Sequence, residues 1–291
     1  MLQRLVLGAL NVQSANNKID EIMDIGRDHA LDVMLLSETW PGGDSVSIRR
    51  LRAEGLQVLE RARSRARPAS LHVNHGGVAV AAVPGVRMSA VSLLGGQRIL
   101  TFEHLCARLV VRGSAYNTVL LVYRPGSVAV ESLFFDELSS LLDELATRSE
   151  PVIVAGDFNI RLDRPDDLHS RHLLEILSAH GLHCHVTSQS LTHDRGAIID
   201  IAATRAHLAA PDVSVLEAGI SDHRLLRWTC HLERPPPVYY TSTHRPWRRV
   251  MSTSSRLIFV SRRYPSTPPQ TAIEQATMTL TLTFSPTNTA V

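Results

Sequence analysis

The sequence has almost no lysine: Lys18 stands alone, and the other basic residues apart from histidine are all arginines. Arginine offers a planar fork that matches phosphate oxygens in pairs, so this usage permits a nucleic-acid partner. The net charge of +2 does not by itself demonstrate one. Cysteine is scarce as well. Cys106, Cys184 and Cys230 are odd in number, widely spaced, and form no Cys-x-x-Cys pair. That pattern argues against a disulfide framework and a zinc ribbon, and for a reducing compartment, nuclear or cytoplasmic rather than secreted. No apolar run approaches the roughly 20 residues of a membrane span, so no membrane partner is expected. The opening Met1 to Gly8 is a poor signal peptide, because Asn11 and Gln13 follow its apolar residues and no small-residue cleavage site is present. With 44% hydrophobic and 20% charged residues, the 291 residues suit one large globular domain or two small ones.

What is there is an alternation of buried strands and amphipathic helices. Leu5 to Val12 reads as a first strand, and Ser14 to Asn17 as the start of a helix with apolar Ile19, Ile22, Met23 and Ala30. Asp32 to Glu38 is a second buried strand that ends in an acid. Arg49 to Pro68 carries Arg49, Arg50, Arg52, Arg61, Arg63, Arg65 and Arg67. It reads as an irregular segment, a short strand and a loop, either solvated or in contact with phosphate. Gly76-Gly77 opens a strand to Val83; no helix pattern follows, so the pair is not a nucleotide-binding fingerprint. Val86 to Val91, Leu100 to Val111 and Thr118 to Tyr123 follow as a meander, which predicts antiparallel pairing. Ser127 is placed to cap a helix with Val130, Leu133, Phe134, Leu138, Leu141, Leu142 and Leu145 on one face.

Val152 to Ala155 is then a short β-branched strand. Asp166 or Asp167 can start a further helix, with Leu173, Leu174 and Leu177 inward and Gly181 as its stop. Leu182 to Val186, Ile198 to Ala203, Val213 to Leu216 and Leu225 to His231 supply the remaining strands. Two strand-rich halves, each with helices, predict an α/β domain over residues 1–233, built of two stacked sheets flanked by helices. Residues 234–291, opening on Pro235-Pro236-Pro237, are rich in Ser, Thr, Pro and Arg without a sustained period. They are expected to form a largely disordered tail that can touch nucleic acid.

Polar residues recur at the ends of these buried runs: Asn11, Glu38, Tyr123, Asp157, Asn159, Asp200, Asp222 and His223. Asp157 and Asn159, after Val152-Ile153-Val154-Ala155-Gly156, fit a metal-dependent phosphodiester-cleaving site and fit equally a strand closed by an Asx turn. Hydrolysis of a phosphodiester needs a hard carboxylate for Mg²⁺, a group that orients and deprotonates water, donors for the phosphoryl oxygens, and a carboxylate that fixes a histidine. Glu38 suits the first task, Asp157 with Asn159 the second, Tyr123 and His223 the third, and Asp200 the fourth. His169, His172, His180, His183, His185 and His193 also cluster, but no consistent ligand spacing emerges, and they read as surface or partly buried residues.

On these residues the chain resembles the endonuclease/exonuclease/phosphatase superfamily, and most of all the endonuclease domain of non-LTR (LINE-type) retrotransposons. The matching stretches are Leu10-Asn11-Val12-Gln13-Ser14, Leu36-Ser37-Glu38-Thr39-Trp40, Gly76-Gly77-Val78-Ala79 and Val122-Tyr123-Arg124-Pro125. Gly156-Asp157-Phe158-Asn159, Leu191-Thr192-His193 through Gly196 to Asp200, and Ile220-Ser221-Asp222-His223 complete the set, over about residues 3–232. The resemblance implies a four-layered α/β/β/α sandwich of two mixed sheets with the site at one edge. It implies Mg²⁺, with Mn²⁺ as a substitute, held by Glu38 with Asn11 and Asp222 nearby. Asp157 would activate water and Asp200 would pair with His223. Tyr123, Asn159, Thr192 and Arg124 would contact the substrate.

Two departures stand out. Gln13 occupies a position where repair-type relatives often carry an acid, and Ile198-Ile199-Asp200 replaces their Arg-Ile-Asp. The second favours the retrotransposon branch. The implied activity is nicking of DNA for target-primed reverse transcription by a protein expected to be monomeric. A phosphoesterase of the same fold acting on a phosphoinositide, sphingomyelin or RNA, or an inactive DNA-binding remnant, are the alternatives. Residues 239–248 resemble the connector after such domains. With no reverse-transcriptase pattern behind them, a truncated or decayed copy is expected.

Overall fold

The structure is a computed structural model that describes residues 3–40, 46–63, 76–111, 117–186, 190–206, 211–232, 242–243 and 261–262. Its plan is visible in one strand. β1 (Gln3–Asn11) buries Leu5, Leu7 and Ala9 on one face and Val6 and Leu10 on the other. A strand apolar on both faces has to be covered on both.

Two sheets and four helices provide the cover. From edge to edge, the first sheet holds β11 (Ser214–Leu216), β12 (Leu225–Leu232), β1, β2 (Val33–Ser37), β4 (Val78–Ala82) and β3 (Gln57–Arg61). The second holds β5 (Val86–Ala90), β6 (Glu103–Val111), β7 (Asn117–Tyr123), β8 (Val152–Asp157), β10 (Asp200–Arg205) and β9 (Leu182–Cys184). Each sheet has one parallel pair, β1–β2 and β7–β8, and every other pairing is antiparallel. A parallel pair needs a crossover, and both crossovers carry a helix: α1 (Ile19–Asp28) and α3 (Ser132–Ala146).

Three apolar layers result. The middle one joins the sheets through Leu5, Leu7, Ala9, Val33, Leu35, Val119, Leu121, Ile153, Ala155, Leu226 and Trp228. Outside the first sheet, Val6, Leu10, Met34 and Leu36 pack against α1 and α2 (Val46–Ala53). Outside the second, Leu120, Val122, Val152, Val154 and Ile201 pack against α3 and α4 (Leu168–Ala179). This is the α/β/β/α sandwich of two mixed sheets, as expected.

Local details depart from the sequence reading. The arginine-rich segment begins as a helix, α2, which buries only Ser47, Ile48 and Leu51 and leaves a stripe too short for periodicity to reveal. Ser127 does not cap α3, which starts at Ser132 with Glu131 at its N-cap and no side-chain cap bond. Leu133 and Leu174 are 41% and 40% exposed, and Phe135 and Ile176 take the inward positions instead. Asp167 does cap α4, accepting from the backbone N–H groups of His169 and Ser170.

The chain divides into two units, Met1–Pro235 and Pro236–Val291. Of the second, Ser242–Thr243 and Ser261–Arg262 are described as a two-stranded antiparallel ribbon. The expected disordered tail otherwise lies outside the described residues. Among the described residues no helix is long and apolar enough to cross a membrane.

One buried histidine makes the fold sensitive to acid. His104, on β6, accepts a hydrogen bond at Nε2 from Arg61 (3.0 Å). Burial and the neighbouring guanidinium push its pKa from 6.5 down to about 4. Below pH 6.5 the unfolded chain therefore binds a proton that the folded chain refuses, so stability present above that pH is lost as the pH falls toward 4. The shift corresponds to at most about 3 kcal/mol. Urea midpoints measured between pH 7 and pH 4 should fall more steeply for the native sequence than for His104→Gln, which keeps an acceptor for Arg61 but cannot titrate. Equal slopes would remove His104 from the account.

Candidate active site

The inward alternation of the central strands ends in polar residues at one edge. Leu5, Leu7 and Ala9 lead to Asn11; Val119 and Leu121 lead to Tyr123; Ile153 and Ala155 lead to Asp157. Register then sets these ends side by side. Tyr123 is paired with Asp157, and Asp157 with Asp200. In both pairs the side chains project to the same sheet face, toward the opposite sheet.

Asp157 is fully buried and heavily bonded. Its Oδ2 accepts from Asn11 Nδ2 and Asn159 Nδ2, both at 2.9 Å, and its Oδ1 accepts from the Asn159 backbone N–H at 2.9 Å. The last bond is an Asx turn, so the two sequence readings of Asp157-Phe158-Asn159 describe one arrangement. Asn159 reaches its place only because it adopts φ +50°, and its Nδ2 also donates to the Arg124 carbonyl at 2.9 Å. Gly156 cannot be replaced without displacement: a Cβ there would lie 2.0 Å from the Val122 carbonyl oxygen of β7.

Asn11 bridges the sheets. Besides Asp157, its Nδ2 donates to Glu38 Oε1 at 3.0 Å. Glu38 follows β2 in a left-handed conformation, φ +53°, and its other oxygen accepts from Trp40 Nε1 at 3.4 Å. The Tyr123 hydroxyl hydrogen bonds to the same carboxylate, and burial together with that negative charge drives the phenol pKa far upward.

On the far side, His223 Nδ1 lies 3.0 Å from Asp200 Oδ2. Its Nε2 faces Asp157 Oδ2 at 3.8 Å and Asp222 Oδ1 at 3.9 Å, beyond hydrogen-bonding distance of either. Burial alone would lower the pKa of His223; the bond to Asp200 and the charges of Asp200, Asp157 and Asp222 outweigh it and raise it to about 9. Burial raises the proton affinity of Asp157, as does the nearby Asp200. Ser221 Oγ donates to the Asn11 carbonyl at 2.6 Å and fixes the segment that carries Asp222 and His223.

Two expected substrate contacts are turned inward. Arg124 is 3% exposed, and its guanidinium donates to the carbonyls of Phe158, Asn159 and Val128, each at 2.7 Å, and of Pro125 at 3.2 Å. Thr192 is wholly buried, its Oγ1 accepting from the backbone N–H groups of Ile199 (3.0 Å) and Asp200 (3.1 Å). Both residues position the loops that carry the acids. The arginine-rich segment is also spent on protein partners: Arg50 on Asp20, Arg52 on Glu60, Arg61 on His104, and Arg63 on Glu103. Arg65 and Arg67 lie outside the described residues.

The sequence reading missed His193. It left this residue among the surface or partly buried histidines without a role at the site, yet His193 Nε2 lies 3.2 Å from Asp222 Oδ2, and its ring meets that of His223 edge-on at 4.8 Å. Its place directly after Thr192, in a stretch already matched, was the available signal.

Four carboxylates, Glu38, Asp157, Asp200 and Asp222, thus converge with two imidazoles. Among the described residues no arginine or lysine bonds to any of the four. Ligand atoms of Asp157, Asp200 and His223 lie within 4.8 Å of one another. Hard oxygen donors with surplus negative charge fit a hard divalent cation, and Glu38 and Asp222, only partly buried, are the carboxylates of the four that can be reached.

Residues 8–223 match the model of the Endonuclease/Exonuclease/phosphatase family. A search of the curated proteins finds no match. Among solved structures, the 3′-5′ exonuclease NExo of Neisseria meningitidis is 19% identical, with a TM-score of 0.58 over 79% of this chain and 100% of that one. The endonuclease domain of TRAS1, a telomere-specific non-LTR retrotransposon, is 14% identical, with a TM-score of 0.58 over 79% and 100% of the two chains. An AP endonuclease from Archaeoglobus fulgidus is 18% identical, with a TM-score of 0.56 over 78% and 99%. At these identities the likeness is one of fold.

Arg124→Met keeps the aliphatic stem and strips the donors from four carbonyls around the Asp157 turn. It should lower unfolding stability by about 2–4 kcal/mol, read from the urea midpoint, because buried acceptors left unpaired are costly. Unchanged stability would show that these bonds do not hold the turn.

Proposed function

Because this chain belongs to the endonuclease/exonuclease/phosphatase family, we propose that it is a divalent-metal-dependent phosphodiester hydrolase that nicks one strand of DNA, leaving a 3′ hydroxyl for target-primed reverse transcription. The observation that carries the reading is the pair of Asp157 and His223, whose Nε2 faces the carboxylate without bonding it. A phosphodiester placed against this edge meets a base and a donor together.

Asp157 is the base. Its buried carboxylate, with its raised affinity for a proton, takes one from the attacking water, while Asn11 and Asn159 hold its oxygens in place. His223, kept protonated by Asp200, presents Nε2–H to a phosphoryl oxygen as charge builds on it. Tyr123, register partner of Asp157, and Asn159, bonded to its carboxylate, would contact the scissile phosphate. Mg²⁺ or Mn²⁺, held by Glu38 with Asn11 and Asp222 close by, would neutralise phosphate charge when bound.

DNA is favoured as the substrate by the likeness to the three nuclease structures and to a fourth, a variant of NExo described as a 3′ phosphatase bound to a product DNA hairpin. The retrotransposon assignment is favoured by TRAS1 and by Ile198-Ile199-Asp200 in place of Arg-Ile-Asp.

The purified chain should convert supercoiled plasmid to the open-circular form with Mg²⁺ and stop doing so in EDTA. Asp157→Asn and His223→Gln should each slow nicking by roughly 1,000-fold with the thermal transition retained. Release of nucleotide or phosphate from 3′ ends without nicking of closed circles would make the protein an end-processing enzyme instead. Full nicking by Asp157→Asn would remove the assigned base.

A further inference from the structure

Asp222, like Glu38 after β2, is an acid of the site that no strand register fixes. It lies on the segment before β12, with its side chain 31% exposed. Two side chains hold it. Gln13 Nε2 donates to Oδ1 at 2.6 Å, and His193 Nε2 meets Oδ2 at 3.2 Å.

The contribution of His193 depends on where its ring proton sits. The backbone N–H of Arg195 points at His193 Nδ1, 3.0 Å away. An N–H can be accepted only by a ring nitrogen that carries no proton, so the proton of the neutral ring is on Nε2, the nitrogen that faces Asp222. The contact is therefore an N–H donated to the carboxylate, and that nitrogen has no lone pair to offer a cation. The cluster of His193, Asp222 and His223, close enough in space to look like a second metal site, does not serve as one in this tautomer.

The turn that carries His193 is itself fastened to the Asp222 segment. Asp194 N–H donates to the Asp222 carbonyl at 2.9 Å, Arg224 N–H donates to the Thr192 carbonyl at 2.8 Å, and His193 and His223 form a β-bridge. Backbone and ring thus act on the same acid, and the ring stands edge-on to the imidazole of His223.

We propose that His193 is a positioning residue: through its Nε2–H it fixes the Asp222 carboxylate, opposite Gln13, in the orientation that receives the divalent cation. The proposal rests on the hydrolase reading for its purpose, and on the Arg195–His193–Asp222 chain for its geometry. Groups that orient a ligating carboxylate typically change metal affinity or activity by about 10–100-fold.

The test uses the full chain and three variants. His193→Phe fills the ring's space without a donor, His193→Gln returns an N–H near the same point, and His193→Ala removes both. Mn²⁺ alone is titrated calorimetrically, and the Mg²⁺ concentration for half-maximal plasmid nicking is measured alongside. His193→Phe and His193→Ala should weaken Mn²⁺ binding by about tenfold or more and raise the Mg²⁺ requirement in proportion, while His193→Gln stays within about threefold of the native protein. Long-range ¹H–¹⁵N spectra should show His193 as the Nε2–H tautomer.

Equal Mn²⁺ affinity in the native and Phe proteins, equal loss in Phe and Gln, no Mn²⁺ binding by the native chain, or an Nδ1–H tautomer would each overturn the proposal. Nicking by a native chain whose Mn²⁺ affinity ignores His193 would leave the nuclease reading standing and the positioning role refuted. Mn²⁺ binding that separates Phe from Gln in a chain that never nicks DNA would do the reverse.

Discussion

One amide joins the two sheets at the edge that carries the candidate site. Asn11 ends β1 in the first sheet and donates both to Glu38, from its own sheet, and to Asp157, from the other. Asp157 can remain fully buried because its oxygens receive three N–H groups, and an acid so placed without them would be costly. The second stitch, Asp200 on β10 to His223 before β12, also runs from sheet to sheet. The site is therefore the polar end of the middle core layer. A slip of one central strand by a single residue within its own sheet, such as β8 against β7 and β10, would turn its acid into the helix layer and an apolar side chain into the cleft.

The residues around that edge carry local strain. Glu38, Trp40 and Asn159 are non-glycine residues with positive φ, and all three belong to the loops that leave the central strands there. Such conformations persist where surrounding bonds over-determine them. Arg124 supplies much of that determination by gathering four carbonyls around one buried guanidinium, which explains why an arginine beside a phosphodiester-type site faces away from the cleft.

The layered architecture was legible because strands such as Val33–Ser37 and Val152–Asp157 are buried on both faces and read as unbroken apolar runs. Asp157, Asn159, Asp200, Asp222 and His223 stood out as polar residues at the ends of those runs, and the structure brings them together with Asn11, Glu38 and Tyr123. What did not show was anything decided by a third dimension. Leu133 and Leu174 satisfy a helical period and still face solvent, because a period fixes spacing and not the angle at which the helix docks. Arg124 and Thr192 read as substrate contacts, since type and position gave no sign that their polar atoms are consumed by backbone. His193 was hidden for the opposite reason: its partner is 29 positions away in sequence and meets it only when the turn after Leu191 folds against the last strand.

The pairing of β1 with β12 also sets a schedule. Leu5, near one end of the unit, is matched with Cys230, near the other, and the histidine that completes the site arrives on the segment that leads into β12. During synthesis the first strand must wait for the last, on the order of ten seconds or more at ordinary elongation rates. Until then Asn11, Glu38 and Asp157 stand without their histidine. The candidate site is thus among the last parts of the unit to be assembled, and a chain still growing on the ribosome carries its acids before the imidazole that faces them.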